Sequence, residues 1–451
     1  MNELRGSVCV VGGGLAGIAA AVRLADAGAD VTLIEARRDL GGVAGSVRHG
    51  DLEADTGQHV FLRCYESYRE LLARMGVSGQ VELQDRFAVN VLAPGRPPHV
   101  LQRSDLPAPL HLLCALARYG LLSRRERLAA IQAAAAMRRV DPDDPANDRV
   151  HFGTWLERHR QTPHTVSRLW DLITVAALNL PAAQASLGLA ARVFRTGLLE
   201  RTDAGDIGRP RVPLSQLHGG PASALFERLG VRVLARTRVR AIEPRPGGFD
   251  VRADDVVVGA DAVVSAVPHR VAADLVPPEA VDDPRRWARL GSSPIVNVHL
   301  RYAHPVTDLP FAAAVDSPTQ WVFDRTGSNP GAGQYLVVSL SSAADLLRRP
   351  AAELVREQVT ALGELFPAAR RTRVVDAFVT REPHATIRAV PGTRALRPGA
   401  ETRSPGLVLA GAWTDTGWPD TMEGAVRSGR HAAELVALRL AHPLLLGEAR
   451  R

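Results

Sequence analysis

Three glycines near the start of the chain carry the strongest chemical signal. Gly12, Gly14 and Gly17 stand in a Gly-x-Gly-x-x-Gly spacing within Gly12-Gly13-Gly14-Leu15-Ala16-Gly17. That spacing suits a dinucleotide. The first glycine permits a tight turn, the second lets a pyrophosphate approach the backbone, and the third lets a helix pack on a strand. The phosphates then meet the positive end of the helix dipole and its free N–H groups. Eighteen residues after Gly17 comes Glu35, at the end of a second apolar run. A carboxylate there can accept both hydroxyls of a ribose.

The surrounding pattern supplies the elements this needs. Residues 7–11 are a short apolar run ending in glycines, 15–28 are Ala/Leu-rich and close at Gly28, and 31–35 are β-branched. Strand, turn, helix and strand in sequence make a βαβ unit. Residues 66–76 read as a helix closed by Gly76. Residues 100–200 read as mainly helical, broken by the turn-rich 140–145. Residues 231–265 change to short alternating strands with a Gly247-Gly248 turn, which reads as a three-stranded ribbon. Further strands are expected at 295–300, 335–340, 374–379 and 407–410, and a helix near 422–438.

Composition narrows the chemistry. The chain has 451 residues, enough for two or three domains. All 55 basic residues are arginine, so no lysine can act as Schiff base, general base or phosphate clamp. Arginine pairs such as Arg124-Arg125 and Arg370-Arg371 are scattered among acids, and aromatics make up only 5%, so the charge reads as solvated faces and not as a nucleic-acid site. Cys9, Cys64 and Cys114 are far apart, which argues against a zinc cluster or disulfide framework. The single aspartate-rich stretch 143–148 lies among prolines and reads as a surface linker, so no metal is expected. The first residues lack a charged-then-apolar signal, and the expected location is cytoplasmic. Residues 172–191 are uncharged but include Asn179, Pro181 and Gln184, a poor membrane span. Residues 106–122, followed by Arg124, Arg125 and Arg127, read as an apolar helix with a basic flank that suits peripheral docking on anionic lipid at the inner face of the cell membrane.

The stretch after Glu35, Ala36-Arg37-Arg38-Asp39-Leu40-Gly41-Gly42, resembles the glycine doublet that follows the ribose-binding acid in flavoproteins of the amine oxidase and phytoene desaturase superfamily. Nicotinamide dehydrogenases generally lack it, so the implied cofactor is FAD. Two more stretches resemble the same superfamily: Gly259 to Pro268, and Leu409-Ala410-Gly411 with Thr421-Met422-Glu423-Gly424-Ala425. A second helix N-terminus at the latter suits the ribityl chain and the flavin pyrimidine edge. The absence of lysine, and Thr421 where amine oxidases often carry an aromatic residue, argue against an amine substrate. Gln58-His59, with Trp413-Thr414-Asp415-Thr416-Gly417-Trp418-Pro419, looks like the squalene-associated flavoproteins, the hydroxysqualene dehydroxylases of bacterial hopanoid pathways. The resemblance covers nearly the whole chain. Ala412 departs from it, since an acid at or next to this position commonly binds the ribityl chain, and the ribityl partner stays open.

The resemblance implies an α/β fold with a Rossmann-type FAD-binding domain from 1–75, 205–275 and 395–440. A discontinuous α+β substrate-binding domain would take 76–204 and 276–394, with a largely helical insertion near 100–200 and a tail at 441–451. It implies cofactor contacts from Gly12, Gly14, Leu15, Ala16 and Gly17, from Glu35, Ala36, Arg37, Gly41 and Gly42, from Gly57, Gln58 and Val239, and from Gly411, Met422 and Ala425. The implied reaction is reductive dehydroxylation of hydroxysqualene or a similar long isoprenoid. Hydroxide leaves poorly, so a proton donor is needed. His59 is the first candidate acid because imidazole titrates near neutral pH. Asp415, and Trp413 beside the flavin, are further candidates, with Asp420 and Asp55 behind them. Two other readings remain: a phytoene or carotenoid desaturase-like oxidoreductase running hydride transfer the opposite way, and a non-catalytic isoprenoid carrier, disfavoured by the intact flavin motifs. No second dinucleotide fingerprint is present, which leaves NADPH or a partner reductase as the electron source.

Overall fold

The computed structural model describes residues 6–328, 331 and 333–441. The expected tail at 441–451 lies, beyond Ala441, outside the described residues.

A five-stranded parallel sheet is assembled from distant stretches of chain. In spatial order its strands are Arg232–Leu234, Asp30–Ile34, Ser7–Val11, Ala262–Ser265 and Leu407–Leu409. The central strands are apolar along their length because both faces are covered. Helices Leu15–Asp26, Gly220–Leu229 and Met422–Ala441 pack on one face. The antiparallel ribbon Val239–Arg245, Gly248–Ala253, Val257–Ala260 and the helix His269–Leu275 pack on the other. The 232–234 stretch is thus an edge strand of the parallel sheet, and the ribbon begins at Val239.

A seven-stranded sheet forms the second layer. Its order is Val374–Thr386, Ser293–Tyr302, Gln334–Leu340, Trp321–Asp324, Phe311–Ala314, Ala88–Leu92 and His99–Gln102. The period-2 alternation of Ser293–Tyr302 sorts its two faces. Val296, Val298 and Leu300 face the helix Ala351–Leu365. Asn297 and His299 face the other way, where Asn297 donates to the Thr56 carbonyl at 3.0 Å. A helical region with its own core, built on Phe152, Trp155, Trp170 and Phe194, adjoins these layers.

The apolar stretch 106–122 is not one helix. It is broken into a short turn at Leu110–Leu112 and a helix at Leu113–Arg118, and a new helix starts at Arg124. Pro107 and Pro109 lack the N–H that an earlier helix would need, and the backbone freedom of Gly120 disfavours carrying the helix on.

Two helices of the first layer meet backbone to backbone. A Cβ on Gly429 would lie 2.0 Å from the Ala16 carbonyl oxygen. Neither atom is the end of a flexible side chain, so the helices must separate if one is added. Gly429→Ala is expected to destabilise the protein by at least about 1–3 kcal/mol, read as a lower thermal midpoint. An unchanged midpoint would mean that the crossing is looser than described.

Candidate functional site

The first wall is built by the glycines around the helix Leu15–Asp26. Gly12 has φ +107°, and a Cβ there would lie 2.6 Å from the Ala266 carbonyl oxygen. A Cβ on Gly17 would lie 1.9 Å from the Gly12 carbonyl oxygen. Both positions therefore hold the turn itself. Gly14 is different, because the nearest atom to its Cβ position is the Gly42 Cα at 4.0 Å. The helix that starts after Gly14 has no side-chain cap and no acid in its first turn. The N–H groups of Leu15, Ala16 and Gly17 consequently have no intrahelical partner. Gly41 donates to the Gly13 carbonyl at 2.8 Å and brings Gly42 over the opening. The result is a cradle of bare N–H groups that side chains would fill, and it fits a pyrophosphate.

Glu35 closes one end of that cradle. Its carboxylate accepts from the Gly13 N–H at 2.6 Å and from the Arg37 N–H at 2.7 Å. Each oxygen keeps a lone pair for a ribose hydroxyl. Ala36 and Arg37 are exposed, and Arg37 donates to the Gly42 carbonyl at 3.3 Å. Val239 lies buried against Ile34 in the core beneath the parallel sheet.

The opposite end is the turn after Leu407–Leu409. Gly411 has φ +138°, its N–H donates to Ser428 Oγ at 3.0 Å, and Thr414 Oγ1 donates to its carbonyl at 2.9 Å. The buried Arg397 guanidinium binds four carbonyls of the following loop: Ala412 at 2.8 Å, Thr414 at 2.5 Å, Trp418 at 2.7 Å and Trp413 at 3.3 Å. Met422 is buried and Ala425 half-buried on the first turn of the helix that follows. Glu423 turns away from this opening. It accepts from the Ser67 and Tyr68 N–H groups and from Arg427, and so caps the helix Glu66–Arg74 from a distance.

The third wall is Asp55-Thr56-Gly57-Gln58-His59. Asp55 is buried against Arg325 at 2.8 Å and also accepts from Ser46 Oγ and the Leu214 N–H. Burial pushes its carboxyl up while Arg325 opposes the shift. It holds the fold together here. Gln58 is half-buried and its amide makes no hydrogen bond among the described residues, so it is available to a ligand. His59 Nδ1 lies 2.9 Å from the Gly57 carbonyl, which fixes it as the protonated nitrogen and leaves Nε2 bare. Burial lowers the affinity of this imidazole for a second proton, Asp55 raises it, and Arg325 lowers it again. His59, Tyr65 and Asp420 are half-buried. Burial raises both the Tyr65 phenol and the Asp420 carboxyl, whose Oδ2 accepts from the Ile387 N–H at 2.8 Å.

The other two candidates for chemistry, Asp415 and Trp413, lie on the loop after Gly411. Asp415 is exposed on its turn and pairs with Arg394 at 3.3 Å. Trp413 is buried in the core beneath the parallel sheet, with its indole N–H on the Val267 carbonyl at 2.9 Å and its ring 5.0 Å from Trp287. In the aspartate-rich stretch, Asp144 caps a short helix and Asp143 pairs with Arg192 and Arg394. Sequence reasoning missed Arg325, Arg397 and Ser428. Their partners lie between 15 and 270 residues away, and an arginine in a chain with 55 of them carries no signal of its own.

A glycine cradle on an uncapped helix, a ribose-binding acid and a second glycine turn define a dinucleotide-dependent oxidoreductase of the two-layer flavoprotein type. Comparison with known proteins agrees. The family model for flavin-containing amine oxidoreductases matches residues 15–437. A hydroxysqualene dehydroxylase of Rhodopseudomonas palustris is 31% identical over 95% of this chain and 98% of its own. A zeta-carotene desaturase of Zea mays is 26% identical over 96% of this chain and 85% of its own. Among solved structures, a cyclohexylamine oxidase from Brevibacterium oxydans shares the fold, with a TM-score of 0.72 at 20% identity over 97% of this chain and 99% of that one. The chain belongs to the flavin-containing amine oxidoreductase family, in the branch that holds the hydroxysqualene dehydroxylases. It is an FAD-dependent oxidoreductase.

Two outcomes are expected from this geometry. Gly14→Val fills open space, so the variant should fold and purify without the yellow of bound FAD. Gly17→Val should fail to fold at all. A yellow Gly14→Val protein would break the cradle argument. The second outcome concerns pH. Burial lowers His218 and His269 to about 4 and His299 to about 3. Unfolded, each titrates near 6.5 (about), so below that pH the unfolded state binds more protons. Their contribution to stability is complete above about pH 6.5 and is lost as pH falls through the folded values. The thermal midpoint should therefore fall on acidification, and less steeply in His299→Gln. Identical slopes for the two proteins would exclude His299.

Proposed function

We propose that this chain catalyses reductive dehydroxylation of hydroxysqualene, or of a similar long isoprenoid alcohol, to the hydrocarbon. The observation that carries this reading is the wall beside His59. Val60 and Leu62 run from it into an apolar cluster with Leu101, Leu116, Leu121 and Trp321. That lining suits a hydrocarbon chain at about 25 cal/mol per Å² buried. The relatives at about 30% identity named hydroxysqualene dehydroxylase support the same substrate class.

In the proposed reaction a C–O bond breaks, a C–H bond forms, and the oxygen leaves as water after taking one proton. Reduced FAD, once bound, supplies the hydride from N5. Residues 12–17, Glu35, Ala36, Arg37, Gly41 and Gly42 would hold the adenosine and pyrophosphate end. Gly57, Gln58, Gly411, Met422 and Ala425 would hold the rest, with Val239 packed below. Segments 1–75, 205–275 and 395–440 would form the FAD-binding unit. His59 would donate the proton from Nε2, which needs its imidazolium form. Asp55 favours that form and burial opposes it. Trp413 and Asp415 would support the loop that carries Gly411, one from the core and the other through Arg394. Exclusion of water by the apolar wall protects a cationic transition state. Electrons would come from NADPH or a partner reductase, and the site of action would be cytoplasmic or at the inner face of the cell membrane.

A second reading is desaturation of a carotenoid-like polyene, favoured by the zeta-carotene desaturase relatives. The anaerobic test separates the two. Chemically reduced enzyme mixed with hydroxysqualene should reoxidise and form one squalene per flavin. No reoxidation, with a polyene consumed by oxidised enzyme instead, would select the desaturase reading. On pre-reduced enzyme the rate should climb as pH falls below the ordinary imidazole range, because burial lowers the affinity of His59 for the second proton it must hold. His59→Ala should remove that limb and slow turnover by roughly a hundredfold. A near-normal rate would assign the proton elsewhere, with Asp420 next in line.

A further inference from the structure

We propose that the face built by residues 96–128 docks on an anionic lipid bilayer. Among the described residues, ten large apolar side chains are exposed, and three of them fall in or just before the helices of this stretch: Leu106, Leu110 and Leu128. They come from adjoining elements. The helix Leu113–Arg118 packs on both the strand His99–Gln102 and the helix Arg124–Met137. The His99 ring meets Tyr119 edge-on at 6.0 Å, which ties the strand to the turn between the helices. Leu128 lies one turn after Arg124 on the same helix face.

The charge on this face selects the partner. Residues 96–139 hold eight arginines and two acids, six of the seven excess positive charges of the chain. Both acids are engaged locally. Asp105 pairs with Arg86 and Arg103, and Glu126 closes a capping box with Ser123 and binds Thr162 and His164. Arg118, Arg124 and Arg125 are exposed and form no ion pair among the described residues. Arg124 and Arg125 also occupy the first turn of their helix, where the dipole repels cations. Two unpaired cations at the unfavourable end of a helix do nothing for the fold. Beside exposed leucines they match the phosphate layer and acyl boundary of an anionic membrane.

The inner side of the same elements reaches the candidate site. Leu116, Tyr119, Leu121 and Leu122 share one apolar cluster with Val60 and Leu62, next to His59. The use of docking, delivery of a long isoprenoid, rests on the proposed reaction, but the docking itself does not.

The test uses the purified FAD-loaded protein and sedimentation with two kinds of vesicle: phosphatidylcholine alone, and phosphatidylcholine mixed with phosphatidylglycerol. Binding to the mixed vesicles that weakens with added salt is expected. Each basic residue near an anionic leaflet contributes about fivefold to partitioning. Arg124→Gln/Arg125→Gln should therefore bind roughly 25-fold more weakly, and Leu110→Ser/Leu128→Ser should also bind less. Arg370→Gln/Arg371→Gln, on a different element, should bind as the parent does. Retained flavin absorbance in each variant reports folding. Turnover of detergent-dispersed hydroxysqualene, measured separately, reports the reaction, so the two readings fail independently. Equal binding to both vesicle types, no binding at all, or a soluble dimer that the same substitutions dissociate would overturn the proposal.

Discussion

The structure depends on a backbone contact that excludes side chains at the start of one helix. Gly17 sits so close to the Gly12 carbonyl that no Cβ fits, and on the far side Gly429 does the same against Ala16. Helix Leu15–Asp26 is thereby pinned between the central strand and the helix Met422–Ala441, with no flexible atom to take up error. Its first N–H groups are left uncapped and point at one place. Every other part of the candidate site is arranged around that point: Glu35 at one end, the Gly411 turn at the other, and Gln58-His59 alongside.

A buried polar tie joins the two layers. Asp55 and Arg325 are both buried and link the hairpin beside the flavin loop to the seven-stranded sheet. Arg325 further binds the Pro210 and Val212 carbonyls. Such a pair is weak evidence of net stability, since desolvation offsets most of the attraction, but losing one partner strands a charge at a cost of about 3–5 kcal/mol. Within the first layer, Glu423 makes another tie, satisfying two N–H groups at the start of Glu66–Arg74. These contacts fix orientation. They hold the turn that carries His59 against the sheet and the helix that carries Met422 against the first layer.

Much of this was legible in the sequence because its signals are local. The glycine spacing, the acid after the second strand and the β-branched runs each act within a few residues, and the cofactor follows from them with the family resemblance. The 106–122 stretch was misread as one helix because its leucine content outweighed Pro107, Pro109 and Gly120 in a reading by periodicity. Arg397 and Arg325 were invisible for another reason. Their roles come from carbonyls and carboxylates that only the tertiary fold brings to them. Residue type marks His59 as a candidate but not its proton inventory. The Gly57 carbonyl on Nδ1 sets which nitrogen is protonated and burial opposes a second proton, and neither is written in residue type or spacing.

The strand order of the parallel sheet carries a consequence for how the protein is made. The central strand, Ser7–Val11, leaves the ribosome some 250 residues before its neighbour Ala262–Ser265 and nearly 400 before Leu407–Leu409. At the ~5–20 residues per second of translation, that interval is roughly 20–80 seconds. The cradle at Gly12–Gly17 and Glu35 thus precedes the wall from Gly411 to Ala425 by that interval, during which an apolar β edge must be shielded from pairing with other nascent copies.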